Sequence, residues 1–226
     1  MKFYLKTWFI ALMVCAVTVL FISIIFLSDI VGQFGGGVGA GASQVDIKTP
    51  DIASGAGKSA FSESAPSKGN KNARIQVVEF ADFQCPFCKE AAGILKNVFA
   101  EFPDALYFQY RHFPIEREHP FARGAAEASM CARDQGKFWE YHDILFQNQG
   151  DLSPAALNGY AQTIGLDMQA FLGCVKERVS APLVQKDFNA GLLLGVAATP
   201  TFFINGRKIE GVLPATMWRQ LIKELR

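Results

Sequence analysis

The chain has 226 residues, 50% of them hydrophobic and 19% charged, enough apolar content to bury a core and too much to remain disordered as a whole. Its length fits one ordinary domain plus about 70 further residues, not two full domains. Twenty-two Lys and Arg against 21 Asp and Glu leave a formal charge of +1, which gives no field for gathering nucleic acid or an acidic substrate.

From Trp8 to Leu27 the chain runs without a charge. Twenty residues at about 1.5 Å each make a helix about 30 Å long, the thickness of a hydrocarbon core. Lys2 and Lys6 precede the run and Asp29 follows it, so the positive-inside bias puts the N-terminus in the cytoplasm and the rest outside. The run exceeds a typical signal-peptide core, and the small-residue site at Ala40-Gly41-Ala42 lies far beyond it; residues 1–27 are therefore expected to be an uncleaved membrane anchor. Cys15 within it is expected to be a packing or lipid-facing thiol. Residues 28–73 are rich in Gly, Ala, Ser and Lys without apolar periodicity and read as a flexible linker with a mean reach of about 40 Å. Gly37–Ala42 and Gly57-Lys58-Ser59 superficially match nucleotide-binding loops, but neither has the preceding strand or glycine spacing those loops need.

A domain is expected over residues 74–226. Arg74–Ala81 is rich in β-branched residues and reads as a buried strand. Cys85-Pro86-Phe87-Cys88 follows, then a helix to Glu101 with apolar residues at helical spacing. Ala105–Phe113 reads as a second strand, and strand-helix-strand order implies parallel pairing through a right-handed crossover. Helical patterns then occupy Ala122–Arg133, Phe138–Asn148, Pro154–Ile164, Met168–Arg178 and Leu183–Leu194, an insertion over about 117–194. Strands are expected at Pro200–Ile204 and Arg207–Glu210, joined by an Asn205-Gly206 hairpin turn, and a last helix at Ala215–Leu225. The class is α/β: a small mixed sheet interrupted by helices.

Two cysteines at this spacing at a helix start have a chemical purpose. Cys85 sits where the first backbone N–H groups lack intrahelical partners, and these favour its thiolate. Cys88 lies one turn on, on the same face, while Pro86 suits the first turn because its missing N–H would be unpaired anyway. Glu79 is an acid within an apolar strand; buried there, its pKa would rise and it could exchange a proton with Cys88. An edge-strand or surface carboxylate is the plainer alternative. Zinc would need a second close cysteine pair, which is missing; Cu(I) carriage, with His112 or His119 as a third ligand, stays open as a rival. No metal or other cofactor is expected. His112, His119 and His142 lack ligand-like spacing and are expected to be surface or capping residues.

The order strand-Glu79-Cys85-Pro86-x-Cys88-helix, the helical insertion and Thr199-Pro200-Thr201-Phe202-Phe203-Ile204-Asn205-Gly206 resemble the DsbA-like branch of the thioredoxin superfamily. The resemblance implies a thioredoxin-like fold and a protein thiol:disulfide oxidoreductase, with Cys85 as attacking cysteine, Cys88 as resolving cysteine and Glu79 as the buried acid beneath them. It implies a cis Thr199–Pro200 bond facing the pair, with the Thr199 backbone, Pro86 and Phe87 contacting an extended substrate segment. It further implies unfolded or reduced secreted proteins as substrates and a DsbB-like, quinone-linked membrane protein as reoxidant. A bacterial inner-membrane protein with its domain in the periplasm or other extracytoplasmic space follows from the anchor and this resemblance together.

Phe87 departs from the family's best-known oxidases, which have histidine there. It cannot donate a hydrogen bond to the Cys85 thiolate, so a weaker oxidant is expected. An isomerase or reductase of the same fold is the main alternative, and a non-catalytic thioredoxin-fold binding module a lesser one. Phe83 and Phe87 are candidates for an exposed apolar patch, burial being at least as good a reading for Phe83. Cys131 and Cys174 are expected to form a structural disulfide in an oxidising compartment, closing a loop of about 44 residues worth about 4 kcal/mol; two separate thiols or a second redox pair stay open.

Overall fold

The computed structural model describes residues 60–225. The apolar run Trp8–Leu27, Cys15 and linker residues 28–59 lie outside them. Five strands and seven helices follow in the order β1 (Ser67–Gly69), β2 (Ile75–Ala81), α1 (Pro86–Glu101), β3 (Leu106–His112), α2 (Ala122–Arg133), α3 (Phe138–Gln147), α4 (Pro154–Thr163), α5 (Met168–Lys176), α6 (Ala181–Leu193), β4 (Thr201–Ile204), β5 (Arg207–Glu210) and α7 (Ala215–Leu225). Among the described residues, no helix is long and apolar enough to cross a membrane.

The sheet runs β1-β3-β2-β4-β5. β2 and β3 pair in parallel with α1 as the crossover, while β1, β4 and β5 pair antiparallel to their neighbours. Central β2 is buried on both faces, which is why it reads as an almost continuous apolar run. Its alternation still sorts side chains. Ile75, Val77 and Ala81 join Phe108, Tyr110, Leu95 and Trp218 in the larger core, whereas Val78 and Phe80 meet Phe113, Val196 and Phe203 on the other face. Glu79 falls in register with Tyr110 on β3 and Phe202 on β4.

The insertion is the block α2–α6. Ser153 and Asp167 cap α4 and α5 by accepting from Ala156 N and Ala170 N. Helix α6 comes back against the sheet at Gly191, where an added Cβ would stand 2.5 Å from the Phe113 ring. The chain then enters β4, and Asn205-Gly206, both at positive φ, turn it into β5.

Residues 60–73 depart from the linker reading, because they belong to the fold. β1 lies antiparallel on β3, Tyr110 N donates to Pro66 O at 3.0 Å, and Asn70 N donates to Leu106 O at 2.9 Å. Gly69, at φ +85°, passes so close to Leu106 O that a Cβ would meet it at 2.2 Å. The buried Arg111–Asp187 ion pair reaches further back, Arg111 donating to Ala60 O at 2.9 Å. Backbone bonds hold this segment, and these leave no apolar pattern in sequence.

Candidate active site

The C-terminal end of β2, the first turn of α1 and the loop before β4 meet at the cysteine pair. Cys85 is the N-cap of α1, with extended backbone (φ −76°, ψ 122°) and Pro86 opening the helix. Both thiols are free and buried, Cys88 completely and Cys85 at 5% exposure. Their environments differ sharply. Cys85 is held down to about 5, chiefly by its hydrogen bond with Cys88, against the opposing cost of burial; proximity to Thr199 and the backbone N–H groups of Cys88 and Phe87 lower it further. Burial drives Cys88 well above the ordinary thiol range, and its bond with Cys85 and the nearby Glu79 push it the same way. The first helical turn thus makes one acidic and one reluctant thiol.

Glu79 is buried at 2% exposure, so the surface-carboxylate alternative fails. Burial raises its carboxyl to about 8, the Lys68 ammonium pulling it down and Cys85 pushing it up. The Thr199–Pro200 peptide is cis, and the Cys85 thiol donates to Thr199 O at 3.3 Å. The Thr199 hydroxyl is buried without a hydrogen-bond partner. Of the two phenylalanines, Phe83 is buried and stacks on Tyr110, whereas Phe87 is 60% exposed beside the pair.

The structure joins Cys131 on α2 to Cys174 on α5 in a disulfide, with Cα atoms 5.9 Å apart, and the buried Ser180 hydroxyl lies 3.6 Å from each sulfur. This pair belongs to the insertion and is separate from the thiols of α1.

The histidines correct the sequence reading. His112 and His142 are buried in an aromatic cluster with Phe83, Tyr110 and Phe138, and burial pushes His112 down to about 3 and lowers His142. Both are neutral packing residues, for apolar surroundings disfavour an imidazolium. His119 bonds Asp82 through Nδ1 at 2.8 Å. Among the described residues, no three His, Cys, Asp or Glu side chains cluster so as to hold a metal ion.

Sequence reasoning passed over three residues at the site. Asp82 donates its N–H to Cys88 Sγ at 3.5 Å and its carboxylate accepts from Gln84 N and Ile115 N. Gln149, from beyond α3, donates to Phe83 O and Cys85 O at 2.8 Å and pins the turn. Lys68 sits on β1 with its ammonium over the rings of Trp139 (4.3 Å) and Phe99 (4.5 Å). Only the position of Asp82, three residues before Cys85, could have drawn attention.

Comparison with known proteins agrees with this geometry. The sequence profile of the family described as Thioredoxin matches residues 62–224. Among solved structures, oxidised BdbD from Bacillus subtilis is similar with a TM-score of 0.64 at 24% identity, covering 71% of this chain and 92% of that one. The thiol-disulfide exchange protein alpha-DsbA2 from Wolbachia pipientis gives 0.65 at 23% identity over 75% and 91% of the two chains. A curated relative, Na(+)/H(+) antiporter NhaA 1 of Salinispora arenicola, is 41% identical over 144 residues, 64% of this chain and 22% of that protein. The corresponding antiporter of Herminiimonas arsenicoxydans is 36% identical over 64% of this chain and 23% of its own length. The chain therefore spans less than a quarter of these curated relatives. With its paired thiols at the head of α1, the cis Thr199–Pro200 loop across from them and a helical block between β3 and β4, the chain belongs to the thioredoxin family.

Proposed function

We propose that this chain is a membrane-tethered, extracytoplasmic oxidase that introduces disulfides into secreted proteins through Cys85 and Cys88. The observation that supports it most is the contrast between the two thiols, one held near 5 and the other well above the ordinary range. A substrate thiolate attacks Cys85 Sγ of the oxidised pair; the Cys85–Cys88 bond breaks and its electron pair passes to Cys88 Sγ. That sulfur takes up a proton, for which the buried, neutral carboxyl of Glu79 is the source. A second substrate thiolate then attacks the substrate sulfur of the mixed disulfide. Oxidised product leaves, with Cys85 as thiolate and Cys88 as thiol.

The acidity of Cys85 makes it the better leaving group and favours the reduced enzyme, as an oxidant requires. Thr199, beside the cis Pro200, and the exposed ring of Phe87 are placed to meet an extended substrate segment. Reoxidation falls to a DsbB-like, quinone-linked membrane protein. Tethering rests on the apolar run Trp8–Leu27, and the likeness to segments of proteins named as antiporters supports work at a membrane face. Transport itself is not assigned to this chain.

The test is oxidative refolding of reduced, unfolded ribonuclease by the full, pre-oxidised chain in mild detergent, beside scrambled ribonuclease and a Cys85→Ala control. Faster recovery from the reduced substrate than from the scrambled one is expected, with none from Cys85→Ala. Preference for scrambled substrate would overturn oxidation in favour of isomerisation.

A further inference from the structure

Cys88 meets the part of the exchange chemistry that its surroundings make hardest. It is fully buried, yet its sulfur must take the electron pair each time the bond to Cys85 breaks. Burial, Cys85 and Glu79 all push the Cys88 thiol up, whereas the peptide N–H of Asp82 pulls it down. That N–H donates to Cys88 Sγ with 3.5 Å between nitrogen and sulfur. It comes from the residue that follows β2, not from α1. The sulfur therefore has a donor in place before any charge arrives, which is what makes a buried dipole effective.

The other polar groups of this peptide and of Asp82 hold the donor still. Ala81 O, the other half of the same peptide unit, accepts from Phe113 N at 2.8 Å, and Asp82 O accepts from Cys85 N at 3.1 Å. The Asp82 side chain is wholly buried. Its Oδ1 accepts from Gln84 N at 2.7 Å, and its Oδ2 accepts from Ile115 N at 2.8 Å and lies 2.8 Å from His119 Nδ1. By charge alone, a carboxylate on the residue that touches Cys88 opposes a thiolate there. Its three short contacts point to a different task, fixing geometry.

We infer that Asp82 is a further catalytic residue: its main-chain N–H, aimed by its own carboxylate, receives the negative charge on Cys88 Sγ as the Cys85–Cys88 bond breaks. The inference rests on the exchange step proposed above, not on its substrate or direction. An attacking thiolate bonds to Cys85 Sγ, the Cys85–Cys88 bond breaks and its electron pair passes to Cys88 Sγ. The Asp82 N–H meets that charge and keeps its proton, and the Glu79 carboxyl then supplies one. In reverse, the Cys88 thiol returns this proton to the Glu79 carboxylate, and its thiolate attacks Cys85 Sγ and expels the partner's sulfur. Only steps that make or break the bond to Cys88 use the donor.

The experiment uses the full chain in mild detergent with glutathione as probe, and acid quenching, alkylation and mass separate the reduced chain, the mixed disulfide and the oxidised chain. In Asp82→Ala, Cys85 of the reduced chain is expected to form the mixed disulfide with oxidised glutathione at the parent's rate. Its resolution by Cys88 should slow about tenfold, less than the loss of a whole oxyanion donor because the N–H is misaimed rather than removed. Attack of reduced glutathione on the oxidised chain should slow by the same factor, leaving the Cys85/Cys88 potential unchanged. Asp82→Asn, which keeps an acceptor for Gln84 N without the charge, should recover most of the parent's rate. Parent-like resolution in Asp82→Ala overturns the inference. So does faster resolution in both variants, the sign of the carboxylate's charge, or equal slowing of both steps, the sign of a loosened fold. If Asp82→Ala does not fold, His119→Ala should slow resolution alone about threefold, the scale of one ordinary hydrogen bond, and an unmoved rate there overturns the inference. A parent chain that forms no mixed disulfide removes the exchange function and this inference together. One that cycles with glutathione but never oxidises ribonuclease removes the oxidase reading alone.

Discussion

Two cysteine pairs sit in one small fold and are built for opposite ends. Cys85 and Cys88 share one helical turn, are free, and occupy unequal surroundings, one lowered to about 5 and the other raised. Cys131 and Cys174 are 43 residues apart, join α2 to α5, and share one buried hydroxyl almost symmetrically. The difference teaches that reactivity comes from asymmetry at a helix start, and permanence from linking distant segments within a packed helical block. A short loop gives little chain entropy to a closed bond, whereas a long one gives much.

The comparison can be broken at either pair. The largest effect is expected from Cys85→Ala, which should abolish ribonuclease oxidation, while alkylation of the parent should titrate near pH 5 at Cys85 and leave Cys88 unreactive below pH 9. Next, replacing Cys131 and Cys174 together by serine should cost about 4 kcal/mol, lowering Tm by roughly 10 °C, with exchange activity retained below the new transition. Loss of activity without loss of stability would make the second pair a redox centre after all.

Glu79 sharpens the contrast through pH. The folded chain holds its proton up to about 8, whereas an ordinary carboxyl releases it near 4.5. The group's contribution is therefore most favourable below about 4.5, declines as pH rises, and levels off above about 8. Glu79→Gln removes that slope, so denaturant melts of variant and parent should diverge in the variant's favour by about 2–4 kcal/mol between pH 4.5 and 8. The same variant should slow exchange about a hundredfold, the smaller end of general-acid contributions. The smallest shift is expected from Phe87→His, whose added donor should raise the Cys85/Cys88 potential by about 30 mV, a tenfold change in equilibrium constant. An unchanged or lower potential would remove Phe87 from the account.

Much of this was legible in the amino acids. Strand, thiol pair and helix were readable because β2 is apolar throughout and α1 starts at a proline, and α2, β5 and α7 run over the ranges expected of them. The acid of Glu79 stood out because an apolar strand has no reason to hold a carboxylate. What stayed hidden depends on contacts between distant segments. β1 is three residues fixed by main-chain bonds, too short for periodicity, and its Lys68 looked like one more polar linker residue. Asp82 gains its role only when Ile115 and His119 arrive beside it. His112 and His142 became core residues because their neighbours across the sheet and on α3 are aromatic, which spacing along the chain cannot reveal.

The short strand β1 has a consequence for the company such a protein keeps. By lying along β3 it closes one margin of the sheet, and the opposite margin, β5, presents Arg207, Lys208 and Glu210. Neither border offers the long, bare, uncharged backbone onto which a sticky chain would stack. Under the proposed function, such borders would let the chain handle half-made polypeptides by their sulfurs without being knitted into their aggregates.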